Sequence, residues 1–456
     1  MRTFIACLTG KILRFFCRLF NRGGTGLPGR IALKICPDLL GTLSKGVSCV
    51  VITGTNGKTT SVRMVEEGFR LSGLSYFANL TGANLIEGIT TDFIMNSSLT
   101  GKCSKKFAIL ETDEFASKEV CRYTQPKVIY VTNLFVDQVE RFGGVGGTLA
   151  GISTAVSNAK DATLVLNADD SVSSAIGRDV PNKTVYFSID KSALENTPYS
   201  GSSDVTECSV CGGKLEYDYM TFSHLGAFRC TKCGYSRPEA DVRITRILSS
   251  GLDGSQIKVE ENKQEILINI NLPAMYNMYN ALGAYAVMRN CGISRDTAAD
   301  ALGSFTCGFG RMEFFPQLGR CGGRMVLVKN GAGCDQVIDY LKKYDEDFVL
   351  AIYLNNNVSD GVDISWLDTA DFESLKQCRI EKIYVSGMRA EEMYARLIKA
   401  GFDDSALIKQ TDTHALISSL RQSDKPVFIL PTYTGMMATR SEIVKQCGGS
   451  EYWEDK

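Results

Sequence analysis

The period of the hydrophobic positions changes several times along the chain. From residue 46 to about 190, short apolar runs alternate with stretches whose apolar residues recur at helical spacing. Phe107-Ala108-Ile109-Leu110, Val128-Ile129-Tyr130-Val131, Thr163-Leu164-Val165-Leu166 and Val185-Tyr186-Phe187 are runs of the first kind. Such runs suit strands covered on both faces, so the pattern predicts a parallel sheet flanked by helices. Residues 196–240 interrupt it with Pro198, several glycines and serines, and four cysteines. An alternating, strand-rich stretch follows from Gln256 to Ile270, then a predicted helix from about Met275 to Asn290. From about residue 323 a second alternation begins. Met325-Val326-Leu327-Val328, Phe348-Val349-Leu350-Ala351-Ile352, Lys382-Ile383-Tyr384-Val385 and Val427-Phe428-Ile429-Leu430 read as buried strands separated by helices. The pattern is α/β, with a second, smaller α/β domain and no internal repeat.

The N-terminal segment departs from this pattern. Phe4, Ile5, Leu8, Ile12, Leu13, Phe15, Phe16, Leu19 and Phe20 are interleaved with Arg2, Lys11, Arg14, Arg18 and Arg22. The recurring basic residues argue against a signal segment or a membrane span. Two uses stay open: a basic amphipathic helix on a membrane surface, or a helix packed on the first domain, the commoner fate of an apolar stripe.

Composition narrows the class. A chain of 456 residues is too long for one ordinary core. Its formal net charge of -1 gives no support to a generally nucleic-acid-binding surface. With no secretory signal, 16 cysteines predict reduced thiols of a cytoplasmic protein plus a metal site, rather than a disulfide framework.

The chemistry begins at Val50-Val51-Ile52-Thr53-Gly54-Thr55-Asn56-Gly57-Lys58-Thr59-Thr60, an apolar strand running into a glycine turn and then a helical pattern from Val62 to Leu71. This is the layout of a phosphate-binding loop. Its backbone N–H groups face ATP phosphates, Lys58 meets the β/γ groups, and the Thr59 hydroxyl holds Mg2+. Only Thr55 and Asn56 separate Gly54 from Gly57, where the generic motif has a longer spacing. Glu111-Thr112-Asp113-Glu114 follows the strand Phe107–Leu110, at the end where open α/β sheets bind ligands. A carboxylate there, Glu111 by its position, would complete Mg2+ coordination, although acids also favour a helix start. Thr132-Asn133 through Asp137 to Gly143 lies at a third strand end. Cys208-x2-Cys211 and Cys230-x2-Cys233 form two knuckles that predict a closed four-thiolate Zn2+ site. Asn277, Asn280 and Gly310-Arg311-Met312-Glu313 read alone as caps and a turn, with Arg311 placed to clamp a nucleotide. Asn355–Asp368 carries three acids after a strand, suiting either a site or an Asx-capped turn. His224 and His414 assemble no nucleophile set.

Gly54 to Thr60 resembles the ATP loop of the Mur ligases and folylpolyglutamate synthases. Asn133 with Asp137 and Gly143 looks like their central loop, Asn277 like their asparagine near adenine, and Gly310-Arg311-Met312-Glu313 like the hinge before their last domain. Ser386-Gly387-Met388-Arg389-Ala390 and Leu430-Pro431-Thr432-Tyr433-Thr434 look like their C-terminal motifs. Gln138 stands where Mur ligases usually carry histidine, Leu327–Gly333 lacks their Asp-Tyr-Ala-His, and a four-cysteine ribbon interrupts the central domain. These departures, with Arg22–Gly29, Tyr276–Ala281 and Asp360-Gly361-Val362-Asp363-Ile364-Ser365-Trp366, are similar to the MurT branch of the family.

The resemblance implies a Mur-ligase-like central ATP-binding domain over residues 46–315, with a zinc-ribbon insertion at about 200–240. A basic amphipathic segment, 1–45, precedes it, and a smaller Rossmann-like domain, 316–456, contacts a partner. The implied reaction amidates the α-carboxyl of D-glutamate in the lipid II stem peptide at the membrane surface. It proceeds through an acyl phosphate, using ammonia from a GatD-type glutamine amidotransferase. It assigns Lys58 and Glu111 to catalysis, and Gly54–Thr60, Asn277 and Arg311 to ATP. It gives Asp363 or Asp360 the task of completing the partner's Cys-His pair. A stand-alone amino-acid ligase and a zinc-ribbon nucleic-acid-binding ATPase are the competing readings.

Overall fold

The computed structural model describes all residues except 20–24, 80–81, 136–143, 195–204, 252–253, 306–310 and 449–456. The chain divides into two compact units: Met1–Ser250, Ser255–Asn271 and Met275–Phe305 form the first, and Gly251–Gly254, Leu272–Ala274 and Thr306–Lys456 the second.

The first unit is built on a nine-stranded sheet. Its parallel part holds β1 (Ser48–Thr53), β2 (Tyr76–Ala78), β3 (Phe107–Glu111), β4 (Val128–Val131), β5 (Thr163–Asn167) and β6 (Thr184–Ile189). The order β6-β5-β4-β1-β3-β2 places β1 between β3 and β4. The chain fills one side of β1 and then crosses to the other, which opens a crevice at the carboxyl end of β1. Five of the six β1 residues are buried, as a central strand covered by helices requires.

β7 (Leu215–Phe222) and β8 (Leu225–Cys230) pair as a separate antiparallel hairpin. β9 (Val242–Ser250), β10 (Ser255–Glu261) and β11 (Gln264–Ile270) then extend the main sheet, β9 parallel to β6 and the rest antiparallel. Their alternating burial matches the alternating sequence. Asn262 and Lys263, both at positive φ, close the β10–β11 turn. The helix Met275–Asn290 has the predicted bounds and is buried continuously from Asn277 to Met288. A Cβ on Gly283 would fall 2.1 Å from the Tyr130 hydroxyl, so glycine lets this helix lie against β4.

The N-terminal helices Arg2–Leu19, Leu27–Ile35 and Leu39–Leu43 belong to this unit. Ala6, Cys7, Ala32, Leu39, Leu40 and Leu43 share a core with Ile89, Phe93 and Ile94 of the helix Ile86–Met95.

The second unit has a six-stranded sheet in the order β12-β13-β17-β14-β15-β16. The strands are β12 (Arg311–Phe315), β13 (Gly323–Val326), β14 (Phe348–Tyr353), β15 (Ile380–Ser386), β16 (Leu407–Lys409) and β17 (Val427–Pro431). Only β12 runs antiparallel to its neighbour. Along β14, Leu350 and Ile352 enter one apolar core while Val349, Ala351 and Tyr353 enter another, so helices cover both faces. β12 pairs with β13, so residues 311–315 sit in the second unit rather than at the end of the first.

Candidate active site

β1 ends in a loop that only glycine can turn. Gly54 has φ +123°, and a Cβ there would lie 2.4 Å from the Thr132 hydroxyl. Gly57 has φ +83°, and its Cβ would lie 2.0 Å from Asn280 Oδ1. The helix Lys58–Leu71 begins directly after Gly57. It starts four residues earlier than apolar periodicity indicated, because Lys58, Thr59 and Thr60 occupy a first turn that serves the loop. Helix N-termini with free N–H groups attract anions.

The loop after β4 clamps this turn. Asn56 N–H donates to Asn133 Oδ1 at 3.0 Å, and Asn133 Nδ2 donates to the Asn56 carbonyl at 3.1 Å. Thr55 N–H donates to the Asn133 carbonyl at 2.8 Å, and Phe135 N–H donates to Thr55 Oγ1 at 3.1 Å. Asn133 is thus a structural clamp, a role its sequence position alone did not distinguish from a cap. Asp137, Gln138 and Gly143 lie outside the described residues.

The acids after β3 divide their roles. Asp113 Oδ1 accepts from Phe115 N–H at 3.0 Å and Ala116 N–H at 3.3 Å, serving the start of the helix Ala116–Thr124. Glu114 pairs with Lys58 Nζ at 2.7 Å, both side chains largely buried. The Lys58 ammonium also donates to the Gly54 carbonyl, and at 3.4 Å to that of Thr55. Glu111 is buried at the end of β3, opposite Ile52 of β1. Its backbone is fixed by Asn79, which accepts from Glu111 N–H at 2.8 Å and donates to its carbonyl at 2.9 Å. Its carboxylate makes no hydrogen bond or ion pair among the described residues, and neither does the half-buried Thr59 hydroxyl. These are hard oxygen donors beside a phosphate loop, the set that suits Mg2+. Sequence reading missed Asn79, which carries no motif signal, and missed that Glu114 is the partner of Lys58.

Asn277 is buried one turn before Asn280 and accepts from its amide at 3.3 Å. Arg311 opens β12, with its backbone paired to Val326. Glu313 of the same segment is buried against Arg440 Nε at 2.9 Å.

The four cysteines converge. Their Sγ atoms all lie within 4.8 Å of one another, with Cys208–Cys233 at 3.8 Å and Cys211–Cys230 at 3.5 Å. Zn–S bonds of about 2.3 Å in a tetrahedron put sulfurs about 3.8 Å apart, so the cluster fits a thiolate-bound metal. Each knuckle turns at a positive-φ glycine, Gly212 and Gly234. The N–H groups of Cys233 and Lys232 point at the Cys230 sulfur and lower its thiol to about 6, while burial raises that of Cys208 and the neighbouring thiols raise that of Cys211. Thiolate is the form that binds metal.

The β7–β8 hairpin is tied into the first unit behind this cluster. His224 is fully buried with Nε2 3.3 Å from Asp170 Oδ1, so it belongs to the core rather than to the thiol cluster. Burial raises the Asp170 carboxyl, but His224 and the N–H groups of Val172 and Leu134 outweigh it and hold it below its ordinary range. Phe135 stacks on Phe222 at 5.5 Å and meets His224 edge-on at 4.8 Å. The hairpin therefore packs on the same residue that holds Thr55.

In the second unit the two candidate aspartates differ. Asp360 is buried: it accepts from Thr434 N–H and Thr434 Oγ1, both at 2.6 Å, and from Asn357 N–H at 2.9 Å. It thereby fixes the loop after β14 to the start of the helix Tyr433–Cys447. Asp363 is exposed and, among the described residues, accepts only from Ser365, at 2.7 and 2.9 Å. Val358 and Val362 of the same loop are exposed at 86% and 55%.

Comparisons agree with this geometry. The Mur ligase middle-domain model matches residues 52–231, and the MurT ligase C-terminal model matches residues 327–436. A lipid II isoglutaminyl synthase (glutamine-hydrolyzing) subunit MurT from Streptococcus pneumoniae is 33% identical over 98% of each chain. One from Staphylococcus aureus is 31% identical over 99% of this chain and 100% of its own. Among solved structures, a pseudomurein peptide ligase type C from Methanothermus fervidus has a TM-score of 0.67 at 21% identity, covering 88% of this chain and 79% of that one. MurF from Acinetobacter baumannii has a TM-score of 0.66 at 15% identity, covering 91% and 80%. Phosphate loop, fold and relatives together define the class, an ATP-dependent ligase. Within that class, the chain belongs to the MurT family of Mur ligases.

Proposed function

We propose that this chain is the ATP-using subunit that amidates the α-carboxyl of D-glutamate in the lipid II stem peptide, giving D-isoglutamine. The observation that carries the reading is the division of acids around the loop: Glu114 pairs with Lys58, while the buried Glu111 carboxylate has no partner among the described residues. The relatives named as lipid II isoglutaminyl synthase subunits supply the substrate class.

A carboxylate is a poor acyl donor, so the γ-phosphoryl group of ATP passes to the carboxylate oxygen, leaving ADP and an acyl phosphate. The loop N–H groups and Lys58 stabilise the phosphate charge during this transfer. Glu111 and Thr59 would hold Mg2+, and the ion would supply positive charge against the phosphate groups. Asn277 and Arg311 are assigned to ATP on the family resemblance. Ammonia then attacks the carbonyl carbon, and phosphate leaves.

Ammonia is mostly protonated at neutral pH, so release beside the acyl phosphate is an advantage. This chain has two histidines; His224 is sealed against Asp170 and His414 pairs with Glu442. Among the described residues neither is set beside a cysteine nucleophile, which supports a separate glutaminase subunit of GatD type. Asp363, exposed between apolar loop residues, is the aspartate available to such a partner. Asp360 is committed to Thr434. The four cysteines are assigned to a structural Zn2+, since four thiolates leave no open coordination position.

The test incubates the chain with lipid II, ATP and ammonium, or with glutamine and the partner. Mass spectrometry should show replacement of one hydroxyl by an amino group. Gain of an amino-acid residue, or an unchanged product under both conditions, overturns the proposal.

A further inference from the structure

The helix Arg2–Leu19 is packed on the first unit by its small side, not its large one. Ala6, Cys7, Gly10 and Arg14 are its buried residues. Gly10 sits so close to the helix Ile86–Met95 that a Cβ would fall 2.9 Å from Ile94 Cδ1. Phe4, Leu8, Ile12, Phe15, Phe16 and Leu19 are all exposed, Phe15 and Leu19 to 64% and 63%. At about 100° per residue these six fall in one arc of roughly 120°, opposite the buried face. Soluble proteins rarely leave such a continuous apolar surface uncovered. The sequence had offered core packing and a membrane surface as alternatives; the helix divides its two faces between the protein and its surroundings.

Charge identifies what covers the outer face. The helix contains no acidic residue. By the same geometry Lys11 and Arg18 border the apolar arc on one side and Arg2 on the other. A second copy docking face to face would bring these basic rims together and be repelled. An anionic lipid surface satisfies both features, taking the apolar arc below the headgroups and pairing the rims with phosphate. No helix among the described residues is long and apolar enough to cross a membrane, so this element lies in the interface instead of spanning it.

We infer that the helix Arg2–Leu19 is an in-plane anchor that seats the first unit on an anionic bilayer. The inference follows from this helix alone and stands apart from the amidation reading. If that reading also holds, the anchor brings the phosphate loop to a lipid-linked acceptor without a transmembrane segment.

The test is sedimentation of the full chain with vesicles of phosphatidylglycerol and phosphatidylcholine, against phosphatidylcholine alone. The unaltered chain should bind the anionic vesicles, and Phe15→Ser with Phe16→Ser should weaken binding at least tenfold. Lys11→Gln with Arg18→Gln should reduce binding to the anionic vesicles selectively. A Phe16→Trp variant should show a blue-shifted emission on those vesicles, and circular dichroism with a thermal midpoint checks that each variant is folded. No binding of the unaltered chain to anionic vesicles overturns the anchor. So does equal binding by the folded Phe15/Phe16 variant, or light scattering that shows a dimer which that variant dissolves.

Discussion

Asn133 and Asn56 hold each other by two reciprocal hydrogen bonds, one from each residue. The contact joins the loops after β1 and β4, and so sets where the phosphate loop sits relative to the sheet. Replacing Asn133 with Ala leaves the fold intact but frees Asn56 to shift. Displacement of about 1 Å at a reacting group can cost about a hundredfold. The expected result is a kcat/KM for ATP lowered by about that factor, with a thermal midpoint changed little; steady-state kinetics and calorimetry check both.

Glu111 and Glu114 lie three positions apart and should fail differently. Glu111→Gln removes the carboxylate assigned to Mg2+, so the Mg2+ concentration for half-maximal activity should rise by roughly tenfold or more. Glu114→Gln removes the counter-charge of Lys58. Its activity should fall while its Mg2+ dependence stays where it was. Titrating Mg2+ against both variants distinguishes the two roles, and matching titration curves would refute the division.

How much of this was legible in the sequence depends on whether a residue's role is local. The strand runs, the glycine turn after β1 and the knuckle spacing are local; the structure has a strand over each predicted run, with ends shifted by up to two residues, and brings the four cysteines together. The contact between Lys58 and Glu114 depends on β1 lying beside β3, which spacing does not reveal. Asn79 was invisible for the same reason: it follows a three-residue strand and acts on a backbone segment 32 residues away. The N-terminal helix was readable as amphipathic, but which face packs inward followed only from the close approach at Gly10.

Asp170 makes part of the stability acid-sensitive. The native state holds its carboxylate below the ordinary range. That stabilisation is therefore complete above about pH 4 and is lost as pH falls through the native value. Asp170→Asn should cost about 3 kcal/mol at neutral pH, since it leaves buried donors poorly matched. Its stability should also fall less steeply on acidification than that of the unaltered chain. Urea unfolding at neutral pH and below pH 4 reads both.

Metal removal should reach the phosphate loop through packing. Cys208→Ser, or a strong chelator, should abolish stoichiometric Zn2+ binding measured by elemental analysis. The β7–β8 hairpin bears Phe222 and His224, which contact Phe135, and Phe135 holds Thr55. Loss of the metal should thus lower the thermal midpoint and weaken ATP binding together. A chelated protein with undiminished ATP affinity would show that the hairpin holds its shape without metal.

Asp360 and Asp363 offer the sharpest separation of stability from function. Asp360 meets Thr434 twice and Asn357 once, all inside the second unit. Asp360→Asn should therefore lose about 2 kcal/mol of stability, in line with hydrogen bonds to a charged acceptor. Asp363 is exposed and, among the described residues, bonded only to Ser365, so Asp363→Asn should stay within about 0.5 kcal/mol of the unaltered chain. If Asp363 completes the partner's Cys-His pair, this variant should lose amidation driven by glutamine and retain amidation driven by ammonium. The ammonium assay reports the ATP site of this chain, and the glutamine assay adds the partner's hydrolysis. Equal losses in both assays would place the defect at the ATP site and exclude Asp363 from the partner's chemistry.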